Sequence, residues 1–441
     1  MDLLIDNDVQ ALSEKLRRNA GDGKYLVSDL VLEHDGKTLQ FVDLVMEGGG
    51  TLGIALAGYI YALEQANIRF LGIGGSSVGA IVALLLSCLG KRTEEKGGPL
   101  AEIIANMDMS SFIDGNVYAG ALSKLIGSEG ASVKKWKIIL LSLLSSGSVF
   151  KKLGLNPGDK FLEWLTGCLK DAGVSTLEDM RKITAFIPEG LTHRNYGSKF
   201  TKPSASLKLV ATDITTNTKA VFPDMAALYW SDPGALNPAY FGRASMSIPL
   251  FFQPMEVHGV SSINNVAEKW KNLCSFDGDV PDKITFSDGG LLSNFPISLF
   301  HQSRVPNAPT FGARLSSYSR VVKEVSSIGS YAGGLLNALR HYSDYDFIYQ
   351  NPDYQNLITY IPTTGHNWLN FFMSDDEKLI LFKKGMVAAY EFLEAFDWMT
   401  YKEIRREQHA LEASLSRIHR DGSQHRAAKR KVTENTSREC E

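Results

Sequence analysis

The chain has 441 residues, of which 44% are hydrophobic and 22% are charged. These proportions are those of an ordinary globular protein, and the length suits one large α/β unit with insertions. A formal net charge of −3 gives no general attraction for nucleic acid or for an anionic membrane, so any such attraction must be local.

The cysteines indicate neither a disulfide framework nor a zinc site. Cys88, Cys168, Cys274 and Cys440 are far apart in the chain, and none of them forms a C-x-x-C pair with another. We therefore expect reduced thiols, and we expect the chain to use no metal and no cofactor.

The amino-terminal segment MDLLIDNDVQALSEKLRR is acidic where a Sec-type signal peptide would be basic. The longest apolar runs, residues 80–86 and 138–144, are much shorter than the ~20 residues that cross a bilayer. The sequence therefore predicts a cytoplasmic protein without a signal peptide or transmembrane helix, which contacts a membrane only peripherally.

The first 88 residues predict an extension followed by a βαβα unit. Residues 1–40 contain a short helix at 9–18 and an Asp35-Gly36 turn. After them come a strand at 41–46, a glycine loop, a helix at 54–65, a strand at 69–73 and a helix at 80–88. Such a unit requires a parallel strand pair with a right-handed crossover.

The remaining sequence predicts a helical insertion and then more strands. Residues 90–203 are largely amphipathic, and strands follow at 206–214, 219–223 and 284–290. The last of these stops at a polar residue and two glycines, which is typical of the active end of a parallel strand. The predicted fold is α/β, with a mainly parallel central sheet, helices on both faces and a helical insertion.

We predict four parts of the chain from these patterns. They are an N-terminal extension (1–40), a catalytic domain (41–300) that includes the insertion (90–203), a C-terminal part packing on it (301–398) and a tail (399–441). The C-terminal part includes a strong amphipathic helix at 376–398, and the tail is first helical and then basic and disordered. The lysine-flanked apolar segment 134–152 suits either core packing or a lid at a lipid interface.

The first glycine loop could bind a dinucleotide or support a nucleophilic serine. Gly48, Gly50 and Gly53 match G-x-G-x-x-G, which can hold the pyrophosphate of a dinucleotide. A dinucleotide fold should then place an acidic residue at the end of the second strand, about 20 residues on. That strand ends in GIGGSSVGA and has no acid there, so the loop is better interpreted as the partner of a serine.

Ser77 is the predicted nucleophile. It stands in Gly75-Ser76-Ser77-Val78-Gly79, the G-x-S-x-G frame of a nucleophile elbow. Gly75 and Gly79 permit the tight strand-to-helix turn that exposes the hydroxyl, and the following helix directs its positive end towards it. Ser76 is expected to point elsewhere.

The predicted oxyanion donors are the backbone amides of Gly48, Gly49 and Gly50. Three successive residues without side chains let N–H groups crowd around an alkoxide. Because one helix separates this loop from the elbow, both corners lie at the same end of the sheet.

Asp288 is the candidate base, followed by Gly289 and Gly290 at the end of a predicted strand. An ordinary aspartate, with a pKa near 4, is a weak base unless proton transfer is concerted with attack. Two alternatives therefore stay open. One is a Ser, Asp, His hydrolase that uses His301 or His366, and the other is a non-catalytic nucleotide-binding or scaffold protein.

Taken in order, EGGGTLG, GSSVG and DGG resemble the patatin-like phospholipase family. The blocks LVATDITTNTKAVF, GRASMSIPLFFQP and DGGLLSNFP are similar to further segments of that family, and the resemblance covers about residues 41–300. One departure is Leu52, where members often carry a lysine or arginine before the last glycine of the first loop.

The resemblance implies a lipid acyl hydrolase of phospholipase A or lysophospholipase type, acting on glycerolipids. It implies a serine–aspartate dyad of Ser77 and Asp288, with the amides of Gly48, Gly49 and Gly50 at the oxyanion and Gly53, Gly75, Gly79, Gly289 and Gly290 supporting the motifs. The expected partner is a membrane phospholipid or another acyl lipid, and no nucleic acid. We also expect restraint by a regulatory partner, a small-molecule signal or homo-oligomerisation, which full activity of the purified protein on vesicles would contradict.

Overall fold

The computed structural model describes residues 2–115, 152–201, 203, 205–315, 325–326, 331, 334–335, 338 and 344–411. Its strands are β1 (Leu30–His34), β2 (Lys37–Met46), β3 (Ile68–Ser76), β4 (Gly154–Asn156), β5 (Thr192–His193), β6 (Ser206–Asp213), β7 (Thr218–Phe222), β8 (Leu250–Phe252), β9 (Met255–Val257), β10 (Ile284–Ser287), β11 (Thr310–Arg314) and β12 (Ile358–Tyr360). Its helices are α1 (Asn7–Gly21), α2 (Gly53–Gln65), α3 (Val78–Cys88), α4 (Gly97–Ala105), α5 (Asp159–Asp171), α6 (Leu177–Thr184), α7 (Ala226–Tyr229), α8 (Ala239–Ser245), α9 (Val266–Cys274) and α10 (Asp375–Ala395). Residues 344–350 and 398–411 are also helical.

A mixed sheet organises these elements. Its strands follow the order β12-β11-β2-β3-β6-β10-β9, and the five from β12 to β6 are parallel. The strands β1, β5, β7, β9 and β10 are paired antiparallel at the sides of this parallel core. The predicted α/β fold with a mainly parallel central sheet is confirmed.

The Asp35-Gly36 turn and the βαβα unit that the sequence predicts are present in the structure. The turn between β1 and β2 is formed by Asp35 and Gly36, both with positive φ. The two helices of the βαβα unit, α2 and α3, are buried along their whole length. Their largely apolar sequences therefore form part of the core rather than amphipathic surface helices.

One strand runs in a direction that differs from the prediction. β10 lies antiparallel to β6, with Phe286 opposite Asp213 and Ser287 opposite Thr212. Val210 is the last residue of β6 that pairs with β3, and β6 continues for three more residues. β10 pairs with this extension in the opposite direction. An apolar strand ending in Asp-Gly-Gly looks the same in either direction, and the pattern alone could not separate the two.

The predicted insertion at 90–203 is mixed in its described part. It contains α4, α5 and α6, and also the short strands β4 and β5. The segment 134–152 and the end of the tail, 412–441, lie outside the described residues, apart from Lys152. Among the helices that the structure describes, none has the length and apolar character needed to cross a bilayer.

The predicted C-terminal part, 301–398, contributes strands to the central sheet. β11 lies between β2 and β12, and all three run in parallel. α10 then packs against α2. A strand that follows all three sequence motifs, β11, therefore lies beside β2, the strand that leads into the first glycine loop.

Candidate active site

Ser77 lies between β3 and α3 in a strained backbone conformation. Its φ of 52° and ψ of −126° are unusual for a residue with a side chain. The adjoining backbones are so close that a Cβ on Gly75 would lie 2.5 Å from the Gly79 carbonyl carbon, and one on Gly79 would lie 2.4 Å from the Met46 oxygen. Only glycine fits at these two positions, which explains why the frame has this form.

The Ser77 hydroxyl is directed at the Asp288 carboxylate. Its Oγ donates to Asp288 Oδ2 at 2.6 Å, and the Met246 sulfur lies 3.6 Å from the same Oγ. Only 3% of Ser77 and 6% of Asp288 is exposed. The two groups therefore share a nearly dry site, in which a charged or charge-assisted hydrogen bond is stronger than in water.

Asp288 is held in place from its backbone and its side chain. Its N–H donates to the Ser247 carbonyl at 2.8 Å, and its carbonyl accepts the Thr212 hydroxyl at 2.9 Å. The second carboxylate oxygen, Oδ1, accepts the Gly290 N–H at 2.8 Å. The reversed direction of β10 accounts for the position, because continuing its register brings Asp288 close to Val210, the partner of Ser76 in β3.

The glycine loop is fastened on both sides of its centre. The Gly48 N–H donates to the Asn294 carbonyl at 2.9 Å, and the Thr51 N–H donates to the Trp368 carbonyl at 2.8 Å. Among the described residues, the amides of Gly49 and Gly50 have no acceptor. The Gly48 N–H is therefore already engaged, which leaves the Gly49 and Gly50 amides as the available candidates among the three predicted oxyanion donors.

The loop and the elbow meet at the starts of their helices. A Cβ on Gly53, the first residue of α2, would lie 2.5 Å from a Val78 methyl group at the start of α3. A Cβ on Gly48 would lie 2.9 Å from the Ser77 Cβ. The two predicted βα corners are therefore in direct contact.

The two histidines of the alternative triad have other contacts. His301 Nδ1 lies 2.9 Å from the Tyr354 hydroxyl, and His366 Nε2 lies 3.1 Å from the Lys384 amine. Ser77 and Asp288 are hydrogen-bonded directly, so no imidazole stands between them. Within the described residues, no group of three or more His, Cys, Asp or Glu side chains is arranged to hold a metal ion.

The residues that support the site carry no sequence motif of their own. Ser245 Oγ accepts the Ser77 N–H at 2.8 Å and donates to the Val210 carbonyl. Asn294 Nδ2 donates to the Gly48 carbonyl at 3.1 Å, which links the glycine loop to the chain after Asp288. Both lie in blocks that resemble the family, but no spacing rule assigned them a role.

The sequence of the chain is similar to that of known proteins. The family model described as patatin-like phospholipase matches residues 44–301, which is more than half of the chain. The uncharacterised protein YqhO of Bacillus subtilis strain 168 is 26% identical over 360 residues, which span 81% of this chain and 100% of YqhO.

Two solved structures are similar at low identity. VipD from Legionella pneumophila has a TM-score of 0.39 and 15% identity, over 86% of this chain and 73% of VipD. A chain of the ExoU–SpcU heterodimer from the Pseudomonas aeruginosa type III secretion system has a TM-score of 0.33 and 16% identity, over 86% of this chain and 60% of that one.

Proposed function

The chain belongs to the patatin-like phospholipase family, and we propose that it is a lipid acyl hydrolase with Ser77 as nucleophile and Asp288 as general base. The observation that carries this proposal is the 2.6 Å hydrogen bond from the Ser77 hydroxyl to Asp288 at a strained strand-to-helix turn. A serine hydroxyl is a weak nucleophile by itself and needs an adjacent base to accept its proton.

In the proposed acylation step, Ser77 Oγ attacks the ester carbonyl carbon while its proton passes to Asp288 Oδ2. The carbonyl oxygen becomes an oxyanion and receives hydrogen bonds from the Gly49 and Gly50 amides. The C–O bond of the ester then breaks, and the proton on Asp288 is returned to the leaving alkoxide. The alcohol product leaves, and the acyl group stays on Ser77.

In the proposed deacylation step, water attacks the acyl-enzyme and gives a proton to Asp288. The second tetrahedral intermediate uses the same two amides and then releases a free fatty acid. The proton returns to Ser77 Oγ, so each turnover consumes one water and regenerates the dyad. Because Ser77 and Asp288 are almost fully buried, the site keeps nucleophiles other than this water away from the acyl-enzyme.

The proposed substrates are glycerolipids, cleaved by phospholipase A or lysophospholipase action. The family supports the lipid class, and the Met246 side chain, whose sulfur lies 3.6 Å from Ser77 Oγ, suits an acyl chain better than a polar substrate group. We also keep as a proposal that residues 41–300 form the catalytic domain, completed by strands from the part that follows.

The test compares the wild type with Ser77→Ala and Asp288→Asn on a mixed lipid extract, with products identified by mass spectrometry. We expect Ser77→Ala to lose about 10³-fold or more of the rate of fatty acid release, and Asp288→Asn about 10²-fold or more. Ser76→Ala is a matched control, since the buried Ser76 hydroxyl has no hydrogen-bond partner among the described residues. It should retain activity within a few fold.

Two further measurements separate the alternatives. His301→Ala and His366→Ala should each keep most of the activity of correctly folded protein, whereas a Ser, Asp, His enzyme would lose it with one of them. A fluorophosphonate probe should label Ser77 of the wild type. A folded wild-type chain that is neither labelled nor active on any lipid would reject the hydrolase in favour of a binding protein.

A further inference from the structure

A buried ion pair lies directly beside the glycine loop. Glu47, the residue before Gly48, accepts from Arg314 Nε at 3.2 Å through Oε1 and from the Leu315 N–H at 2.6 Å through Oε2. The side chains of Glu47 and Arg314 are each only 4% exposed. Burial raises the pKa of the Glu47 carboxyl, and the Arg314 guanidinium opposes that rise.

The same arginine is connected to the loop that follows Asp288. Arg314 Nη2 donates to the Tyr345 hydroxyl at 3.1 Å, and the neighbouring Asp344 is equally buried. The Asp344 carboxylate accepts the Ser293 hydroxyl and the Phe295 N–H, both at 2.7 Å. Residues 344–345 therefore fix both the guanidinium and the backbone just beyond Asp288-Gly289-Gly290.

Asn294 closes this network in the middle. Its side-chain amide donates to the Gly48 carbonyl at 3.1 Å and lies 3.3 Å from Glu47 Oε1. The backbone carbonyl of Asn294 accepts the Gly48 N–H. The loop with the proposed oxyanion donors and the loop with the proposed base are thus cross-linked through one set of buried polar groups.

A network of this kind is a poor way to gain stability. Removing two charges from water costs several kcal/mol per ion, and well-packed apolar residues often stabilise a protein as well or better. It is, however, a good way to fix geometry, because a guanidinium presents its donors in a rigid planar fork. Oxyanion donors must lie within a few tenths of an ångström of their productive position.

We infer that Arg314 is a positioning residue, which acts through Glu47 to fix the direction of the Gly49 and Gly50 amides. Arg314 lies outside the residues that match the family model and touches neither Ser77 nor Asp288 in any contact the structure records. This inference rests on the proposed function, since it concerns the oxyanion donors of that reaction.

The test uses the full chain with Arg314→Lys, which keeps the positive charge and loses the fork. Active sites are first titrated with a fluorophosphonate, and kcat and KM for a short-chain p-nitrophenyl ester are then expressed per titrated site. The affinity for a trifluoromethyl ketone, whose adduct carries an oxyanion, is measured alongside. We expect kcat to fall about 30-fold or more with KM within about threefold, and ketone affinity to weaken by a similar factor.

Arg405→Met is the matched control. Arg405 is comparably buried and is paired with Asp353 at 3.3 Å, but its recorded contacts are with the helix 398–411 and with residues 302–304 and 353. Its loss should lower stability and the titratable fraction while leaving kcat per site unchanged. An equal loss of kcat per site in both variants, or none in Arg314→Lys, would overturn the inference.

A second variant covers the case in which Arg314→Lys does not fold. Glu47→Gln keeps the size of the side chain and removes its charge, and we expect kcat per site to fall about fivefold or more with the same ketone effect. Unchanged kcat in Glu47→Gln would overturn the inference. Failure of the proposed function is seen separately, because the wild type would then not react with the fluorophosphonate at all.

Discussion

Ser77 owes its position beside Asp288 to its backbone. A non-glycine residue with φ near 50° stores strain of about 1–3 kcal/mol, which persists only where the surroundings determine it. Here the Ser77 N–H is bound by Ser245 Oγ, while the two glycines of the frame let the chain close around it. As a result, the side chain is directed towards Asp288.

Gly289 is the residue at which a single methyl group should separate the two halves of the proposed dyad. A Cβ there would lie 2.1 Å from the Val210 carbonyl and 2.6 Å from Ser76 Oγ, so Gly289→Ala must push the Asp288 loop off the sheet. We expect a loss of activity of about 10²-fold, since a shift of about 1 Å at a catalytic group has that effect, and a lower unfolding temperature.

Gly167→Ala provides the comparison for this substitution. A Cβ on Gly167, within α5, meets nothing within 4 Å. Alanine in a helix interior should raise stability by about 0.5–1 kcal/mol and leave kcat unchanged. Activity of Gly289→Ala equal to that of Gly167→Ala would contradict the tight contact.

At the scale of elements, the site depends on how neighbouring strands differ in length and direction. β6 extends beyond β3, and β10 returns along that extension and ends beside the carboxyl end of β3. A parallel β10 would have carried its following loop to the far end of β6, away from Ser77. The antiparallel pairing is therefore what brings the Asp288 loop to the elbow.

A titratable side chain, Asp43, lies where β2 pairs with β3. Asp43 accepts the Gly72 N–H at 2.7 Å, where the register between the two strands shifts. Burial raises the pKa of Asp43 to about 6, against the opposing effects of the Gly72 N–H, Arg92 and Lys208. The folded state therefore holds the proton more tightly than the unfolded state does.

Because the pKa of Asp43 is raised in the folded state, its contribution to stability is present below about pH 4 and is lost as the pH rises through about 6. Asp43→Asn removes the titration. Between pH 3 and pH 7.5, the unfolding free energy of the wild type should fall relative to that of the variant by about 3 kcal/mol. Urea unfolding at several pH values measures this difference, and parallel pH profiles for the two proteins would contradict it.

At the scale of the whole molecule, the chain beyond the family match completes the fold. Lys402 lies 2.8 Å from Asp29, and Arg405 lies 3.3 Å from Asp353; all four side chains are buried. Trp398 is fully buried at the start of the same helix, residues 398–411. This helix therefore ties the beginning of the chain to the segment between β11 and α10.

Truncation should show how much depends on this helix. A chain ending at residue 397 loses the buried pairs Lys402–Asp29 and Arg405–Asp353, and breaking such a pair costs about 3–5 kcal/mol. Since total stability is about 5–15 kcal/mol, we expect little folded protein.

A chain ending at residue 411 keeps all of these contacts, and should unfold at a much higher temperature than the chain ending at residue 397. Circular dichroism melting of the two truncated chains and the full chain checks both statements. Equal stability of the chain ending at 397 and the full chain would contradict the role given to the helix.

The sequence by itself determined the α/β class, most element positions near the start of the chain, and the three glycine-rich corners. These are local features, because the tight turns at Gly75, Gly79 and Asp35-Gly36 require particular residues wherever the rest of the chain lies. The choice of Ser77 and Asp288 also came from such local motifs, and the structure brings their side chains together.

Only the tertiary structure decided the direction of β10, the engagement of the Gly48 amide by Asn294, and the pairing of Arg314 with Glu47. Glu47 and Arg314 are separated by 267 residues, and Gly48 and Asn294 by 246. Hydrogen bonds between such distant residues depend on which strands become neighbours and in what register. That choice is made by the packing of the whole sheet, so no pattern within a single segment records it.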